Sequence, residues 1–257
     1  MNLSQLLDEL RHGILHDRSD QIAGSEPDYL WSDDRLTNYI NEAQRKMARE
    51  GLMIRDGTTP DCCQVRTVAG QQEYTLHPSV VAVISAKMDE DMADLARAGH
   101  SPFQTYHTPD TYFFDPSQLS TVPPGKILAF GTDEEVAPDD DGSMSTMVLR
   151  AFPVPDAAHD GIIMRLRVVR GPLNDLVNPL DVPEIPRDHH LNMLGWAAYL
   201  ALRIVDHDLG DPERAEGFKT QFEMDVAAAK KEAMRKLFTP SQWGFGRNGW
   251  SFERDYQ

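Results

Sequence analysis

Cysteine, basic charge and long apolar runs are what this chain of 257 residues has least of. Cys62 and Cys63 are its only cysteines, and they are adjacent. Neighbouring cysteines pair only with strain, and two thiols fall short of a zinc ligand set, so neither a disulfide scaffold nor a zinc ribbon is expected. They read as reduced thiols in a protein made in a cytoplasm. Lys and Arg number 25 against 41 Asp and Glu, a net charge of −16. Such a surface stays soluble and repels phosphate backbones, which argues against sequence-specific DNA binding by the body of the protein. No apolar run approaches the ~20 residues of a membrane span. The opening Met1–Gly13 carries acidic residues and no signal-peptide core. There is no P-loop, no G-x-G-x-x-G and no G-x-S-x-G, hence no phosphate cradle or nucleophile elbow. No repeat of solenoid length occurs.

What is present begins with a well-formed helix. In Trp31–Gly51, Ser32 is a good N-cap, and Asp33 and Asp34 place negative charge on the first turn, where the helix dipole favours it. Leu36, Ile40, Ala43 and Met47 make one apolar stripe. Arg45, Lys46 and Arg49 lie toward the other end, and Gly51 predicts a left-handed cap. Before it, Asn2–His16 predicts a first helix with Leu3, Leu6, Leu7, Leu10, Ile14 and Leu15 on one face, followed by a polar loop over Ser19–Tyr29.

From Arg55 the pattern changes to short apolar runs between prolines and glycines. Strands are expected at Gln64–Val68, Glu73–Leu76, Val80–Ile84, Thr111–Phe114, Lys126–Phe130, Thr146–Phe152 and Gly161–Val169. Asp89–His100 reads as a short helix, and Asp133–Ser145 as an acidic loop. Between Met88 and Asp160 there are 14 acidic residues against 3 basic ones. Pro172–Pro186 reads as a linker. Helices are then expected over Arg187–Val205 and, with Asp211 as N-cap and Pro212 at the first position, to about Leu237. The fold class expected is α+β: an antiparallel bundle of about four helices with an inserted β-sandwich or barrel-like region and an extended C-terminal arm. The divisions are 1–56 for the N-terminal helices, 57–171 for the β insertion, 172–239 for the C-terminal helices and 240–257 for the arm.

Chemistry is sparse. His189, His190, His207 and Asp208 are the one grouping that resembles a metal site, superficially like the His-Asp pair of helical metal-dependent phosphohydrolases. The two ends of that group are separated by about 25 Å if they share one helix, at 1.5 Å per residue, too far for a single ion. Asp139, Asp140 and Asp141 lack the alternating spacing and distal glutamate of a calcium loop. No catalytic constellation, cofactor or metal is therefore expected. That enzyme, or an acidic cytoplasmic interaction protein, is the alternative reading.

The tail is the positive feature. From Val226 to Arg254 there are six Lys and Arg against two Glu, a basic end on an acidic protein. Trp243, Phe245, Trp250, Phe252 and Tyr256 follow no helical or strand period, and with Arg247 and Arg254 they are the residue types that anchor protein interfaces. The reading is an arm that orders on a partner.

One set of residues, in order, resembles a known family. It comprises Tyr29-Leu30-Trp31-Ser32-Asp33-Asp34, Leu36, Tyr39–Gln44 and Arg55-Asp56, then Gly70–Leu76 and Leu166–Arg170. It closes with Glu184-Ile185-Pro186, His189–Ala201, Asp208, Asp211–Ala215, Phe218 and Phe222. The set, spread over most of residues 1–225, resembles the head-to-tail adaptor (connector) proteins of tailed bacteriophages. The resemblance implies a non-enzymatic virion component, a ring of commonly twelve copies beneath the portal protein. Its distal face would receive tail tube, nozzle or tail-fibre proteins, and genomic DNA would pass through without specific binding. The arm at Trp243, Phe245, Arg247, Trp250, Phe252, Arg254 and Tyr256 would bind the portal. Twelve chains of charge −16 would repel one another, so a monomer is expected in isolation, with assembly templated by the portal. No membrane is involved.

Overall fold

The computed structural model describes residues 1–17, 29–90, 94–97, 123–135, 146–203 and 211–238. Helix α1 (Leu3–Asp8) opens on a capping box, in which Asn2 and Gln5 each accept a backbone N–H of the other. The helical run continues as a π-helical segment, Glu9–Leu15, instead of the α-helix the leucine spacing predicts. The segment contains Arg11, which is buried. Its Nη2 donates to the Trp31 carbonyl at 2.6 Å, and its Nη1 pairs with Asp33 at 2.8 Å. The guanidinium lies 3.9 Å from the centre of the Tyr29 ring. Asp17, 3.6 Å from Arg11 Nε, accepts the backbone N–H of Leu30 and of Trp31. One buried arginine thus organises the Tyr29–Asp33 stretch that leads into the next helix.

Helix α2 (Asp33–Gly51) has the expected bounds, and Ser32 Oγ accepts from the Arg35 N–H. Its end differs from expectation. Gly51 is the last helical residue, and Leu52 takes the left-handed conformation at φ 52°. A Cβ on Gly51 would lie 2.9 Å from the Met53 methyl carbon, the far end of a flexible side chain that packs over the glycine. Helices α4 (His190–Leu202) and α5 (Pro212–Phe238) come from the other end of the chain. They share one core with α1 and α2, built from Leu6, Leu10, Leu36, Ile40, Leu194 and Phe222 among others. At Gly195 of α4, an added Cβ would stand 3.4 Å from the Phe218 carbonyl oxygen of α5, so the two helix backbones approach closely.

The β part forms two sheets. In the first, β8 (Ile163–Arg170) is central, with β4 (Val80–Met88) along one edge. On its other edge lie β1 (Ile54–Asp56) and β2 (Gln64–Arg66), all antiparallel. A short helix, α3 (Pro60–Cys63), joins β1 to β2. In the second sheet the order is β3 (Glu73–Thr75), β7 (Thr146–Phe152), β6 (Ala129–Glu135) and β5 (Ala96–Arg97), antiparallel except for the β5–β6 pair. Side chains from both sheets, among them Val83, Phe130, Leu149, Met164 and Leu166, meet in a second core. The described strands do not close into a barrel, which corrects the barrel-like alternative.

Three further expectations are corrected. Asp133–Glu135 belong to β6, paired with Thr146–Val148, and are not loop. Backbone pairing to a neighbouring strand outweighs the low strand preference of acidic residues. Within Asp89–His100, the described residues form the β5 strand and a bridge between Lys87 and Asp94, with no helix. Residues 172–186 are a bound strap, not a loose linker. Leu176 and Ile185 are buried in the helical core. Asn41 of α2 donates to the Leu176 carbonyl at 2.9 Å and accepts its N–H at 2.8 Å. The Leu3 and Ser4 N–H groups donate to the strap carbonyls of Asp181 and Pro179. Thr111–Phe114 and most of the acidic loop lie outside the described residues.

Candidate functional site

Chemistry-bearing side chains converge where β1, β8 and the strap meet. Arg170 of β8 donates from Nε to Asp56 at 2.8 Å and pairs through Nη1 with Glu184 of the strap at 2.5 Å. Glu184 also accepts the Leu173 and Asn174 N–H groups. Asp56 accepts from the backbone and hydroxyl groups of both Thr58 and Thr59. Burial alone would raise the Asp56 carboxyl. The hydrogen bonds from Thr59, Thr58 and Arg170 outweigh it and hold the group well below the usual carboxylate range. The position is a seam, since all of β1 pairs with β8 in the sheet while the Ile54 side chain lies in the helical core.

Cys62 and Cys63 lie beside this seam, and their sulfurs come within 4.8 Å of an Asp56 oxygen and of each other. This is the one grouping of potential metal ligands among the described residues. Its chemistry does not suit an ion. Both Asp56 oxygens are occupied by donors. Burial pushes both thiols up, Cys63 to about 12, the state of two ordinary packed thiols. Three donors also fall short of a structural zinc set. The arrangement is a hydrogen-bonded turn that closes the end of β1.

The histidines separate. His190 is buried, its Nε2 3.0 Å from the Ile185 carbonyl and its Nδ1 2.9 Å from the Met1 amino group. The carbonyl fixes the proton on Nε2, so Nδ1 accepts from the amine. Both nitrogens are engaged, and burial pushes the ring toward its neutral form. His189 precedes it in a 3-10 turn, Arg187–His189, with its Nδ1 buried and unpartnered among the described residues. His207 and Asp208 lie outside the described residues.

Helix α5 carries the chain toward the basic, aromatic tail. It spans 27 residues, about 40 Å at 1.5 Å per residue. Its N-terminal end is tied down by Asp211, which accepts the Arg214 N–H, and by Arg214, whose guanidinium reaches the Ile14 carbonyl. Near its other end, Arg55 of β1 donates to the Ala233 carbonyl at 2.5 Å. Ala215, Phe222, Val226, Ala229 and Ala233 form its buried stripe. Trp243, Phe245, Arg247, Trp250, Phe252, Arg254 and Tyr256 lie outside the described residues. Sequence reasoning singled out these tail residues and missed the Arg55 tie. The adjacent Arg55-Asp56 pair was the available signal: one member pins α5 and the other anchors Arg170.

Among the described residues, no helix is long and apolar enough to cross a membrane. A family model described as SU10 adaptor protein matches residues 1–243. No curated protein matches the chain.

Proposed function

The chain belongs to the SU10 adaptor protein family, and on that premise we propose that it is a structural component of a tailed-phage virion that joins the DNA-filled head to the tail. The observation that carries the reading is the extent of the match, which takes in the helices of both chain ends and the β part between them. In this reading twelve copies form a ring under the portal protein and continue the DNA channel. The helices act as an antiparallel bundle (residues 1–56 and 172–239), and the two sheets act as a sandwich-like insertion (residues 57–171). Residues 240–257 form the portal-binding arm, and the distal face receives tail tube, nozzle or tail-fibre proteins.

The charge supports this assignment. Acidic residues toward the lumen would repel phosphates and leave the genome free to slide. The role needs no catalysis, cofactor or membrane. The occupied nitrogens of His190 and the occupied oxygens of Asp56 favour it over a metal-dependent hydrolase. The test is genetic. A phage lacking this chain should accumulate DNA-filled heads without tails, and supplying the chain in trans should restore particles. Normal tail attachment in its absence would overturn the reading.

A further inference from the structure

The two cores differ in how their buried polar groups are satisfied. In the β part, Thr67 Oγ1 lies 2.7 Å from the His159 carbonyl, and Asp56 and Arg170 hold each other. Among the described residues, every buried side-chain nitrogen or oxygen without a hydrogen-bond partner belongs to the helical part. These atoms are Arg11 Nε, Trp31 Nε1, both amide atoms of Gln44, His189 Nδ1 and Trp196 Nε1. Native proteins pair the great majority of such atoms, so a group of them in one core calls for a reason.

Gln44 of α2 is the severe case. It is 0% exposed, and neither its Nε2 nor its Oε1 has a partner. An amide offers two donors and an acceptor oxygen, and leaving a buried polar group unpaired costs more than a made bond returns. Asn41, one turn earlier on the same helix, shows an amide fully used: it donates to the Leu176 carbonyl and accepts the Leu176 N–H. At 100° per residue, Gln44 lies between Asn41 and the stripe of Leu36, Ile40, Ala43 and Met47. Methionine has nearly the same length and no strong polar atom, so glutamine lowers the stability of this packing. The same core holds Leu10 and Leu15 of the π-helical segment, a rare geometry that is frequent where a helix has a functional role.

We propose that the helical part repacks when copies assemble on the portal, and that Gln44 keeps the free chain ready to do so. The amide gains partners in the assembled packing, which gives that state the differential stabilisation a conformational change requires. The β part, its buried polar groups already paired, is carried along unchanged. The inference rests on the adaptor reading and adds to it which part of the chain moves.

The test compares the full wild-type chain with Gln44→Met and Gln44→Leu, free and bound to portal rings. Thermal unfolding, amide hydrogen exchange and co-sedimentation are the measurements. Free, the methionine variant should melt about 5 °C higher, and its α2 and α4 amides should exchange more slowly while those of β4 and β8 do not change. On the portal it should bind about tenfold more weakly, the equivalent of one hydrogen bond not gained. In the wild type, portal binding should slow exchange in α2 and α4 and leave β4 and β8 as they were. If neither variant is more stable than the wild type, the amide is already satisfied in the free chain, as by an internal water, and the inference is overturned. A stabilised variant that binds the portal as tightly as the wild type would overturn it as well. Both results leave the adaptor reading intact. Failure of the wild type to bind the portal at all would overturn both.

Discussion

Truncation after Leu237 is expected to abolish binding to portal rings and to leave the fold intact. Among the described residues, Val226 is the furthest α5 side chain in the helical core and Ala233 the furthest that is buried. What the truncation removes is Trp243, Phe245, Trp250 and Phe252 together with Arg247 and Arg254. Residues of these types at the centre of an interface typically cost 2 kcal/mol or more each when truncated. Loss of several together lowers affinity by at least about a thousandfold, at about 1.4 kcal/mol per tenfold. Co-sedimentation with portal rings measures the binding, and circular dichroism with thermal unfolding checks the fold. Equal binding by the truncated chain would remove the arm from the account.

The second large effect is on stability, at the seam. Arg170→Ala leaves Asp56 and Glu184 without their common partner, and both side chains of the Asp56–Arg170 pair are at most 10% exposed. Removing one member of a buried, hydrogen-bonded pair costs about 3–5 kcal/mol, which a shift in urea midpoint with an unchanged slope would record. The same seam gives an acid dependence of definite sign. The Asp56 carboxyl is held below its unfolded value, so its contribution is fully present above about pH 4 and is lost as pH falls toward the depressed folded value. Asp56→Asn should unfold more easily at pH 7 and show a flatter decline than the wild type below pH 4. A variant as stable as the wild type at pH 7 would show that the Arg170 cluster contributes little.

The sequence was most readable where one local pattern determines one element. The Ser32 cap, the stripe from Leu36 to Met47 and the Thr146–Phe152 strand appear at their expected positions. It was least readable where distant residues decide. Asp133–Glu135 look like loop until β7 pairs with them, and the prolines of 172–186 read as a linker until Asn41 grips Leu176. The π segment at Glu9–Leu15 carries no leucine signature of its own, and Arg11 reads as a surface residue until Asp17, Tyr29, Trp31 and Asp33 surround it. Exposed apolar surface is the hardest case. Leu180 is one leucine in a proline-rich stretch, and only the strap's attachment to α1 shows that it is held outward in company with Val177 and Val182.

The role at the junction of head and tail is tested most directly by native mass spectrometry of the full chain, alone and mixed with portal rings from the same virus. The prediction is a monomer alone, because a net charge of −16 disfavours self-association, and saturation of the portal at one copy per portal subunit. A monomer that ignores the portal and carries a tightly bound divalent metal would contradict the account and return attention to His189, His190, His207 and Asp208.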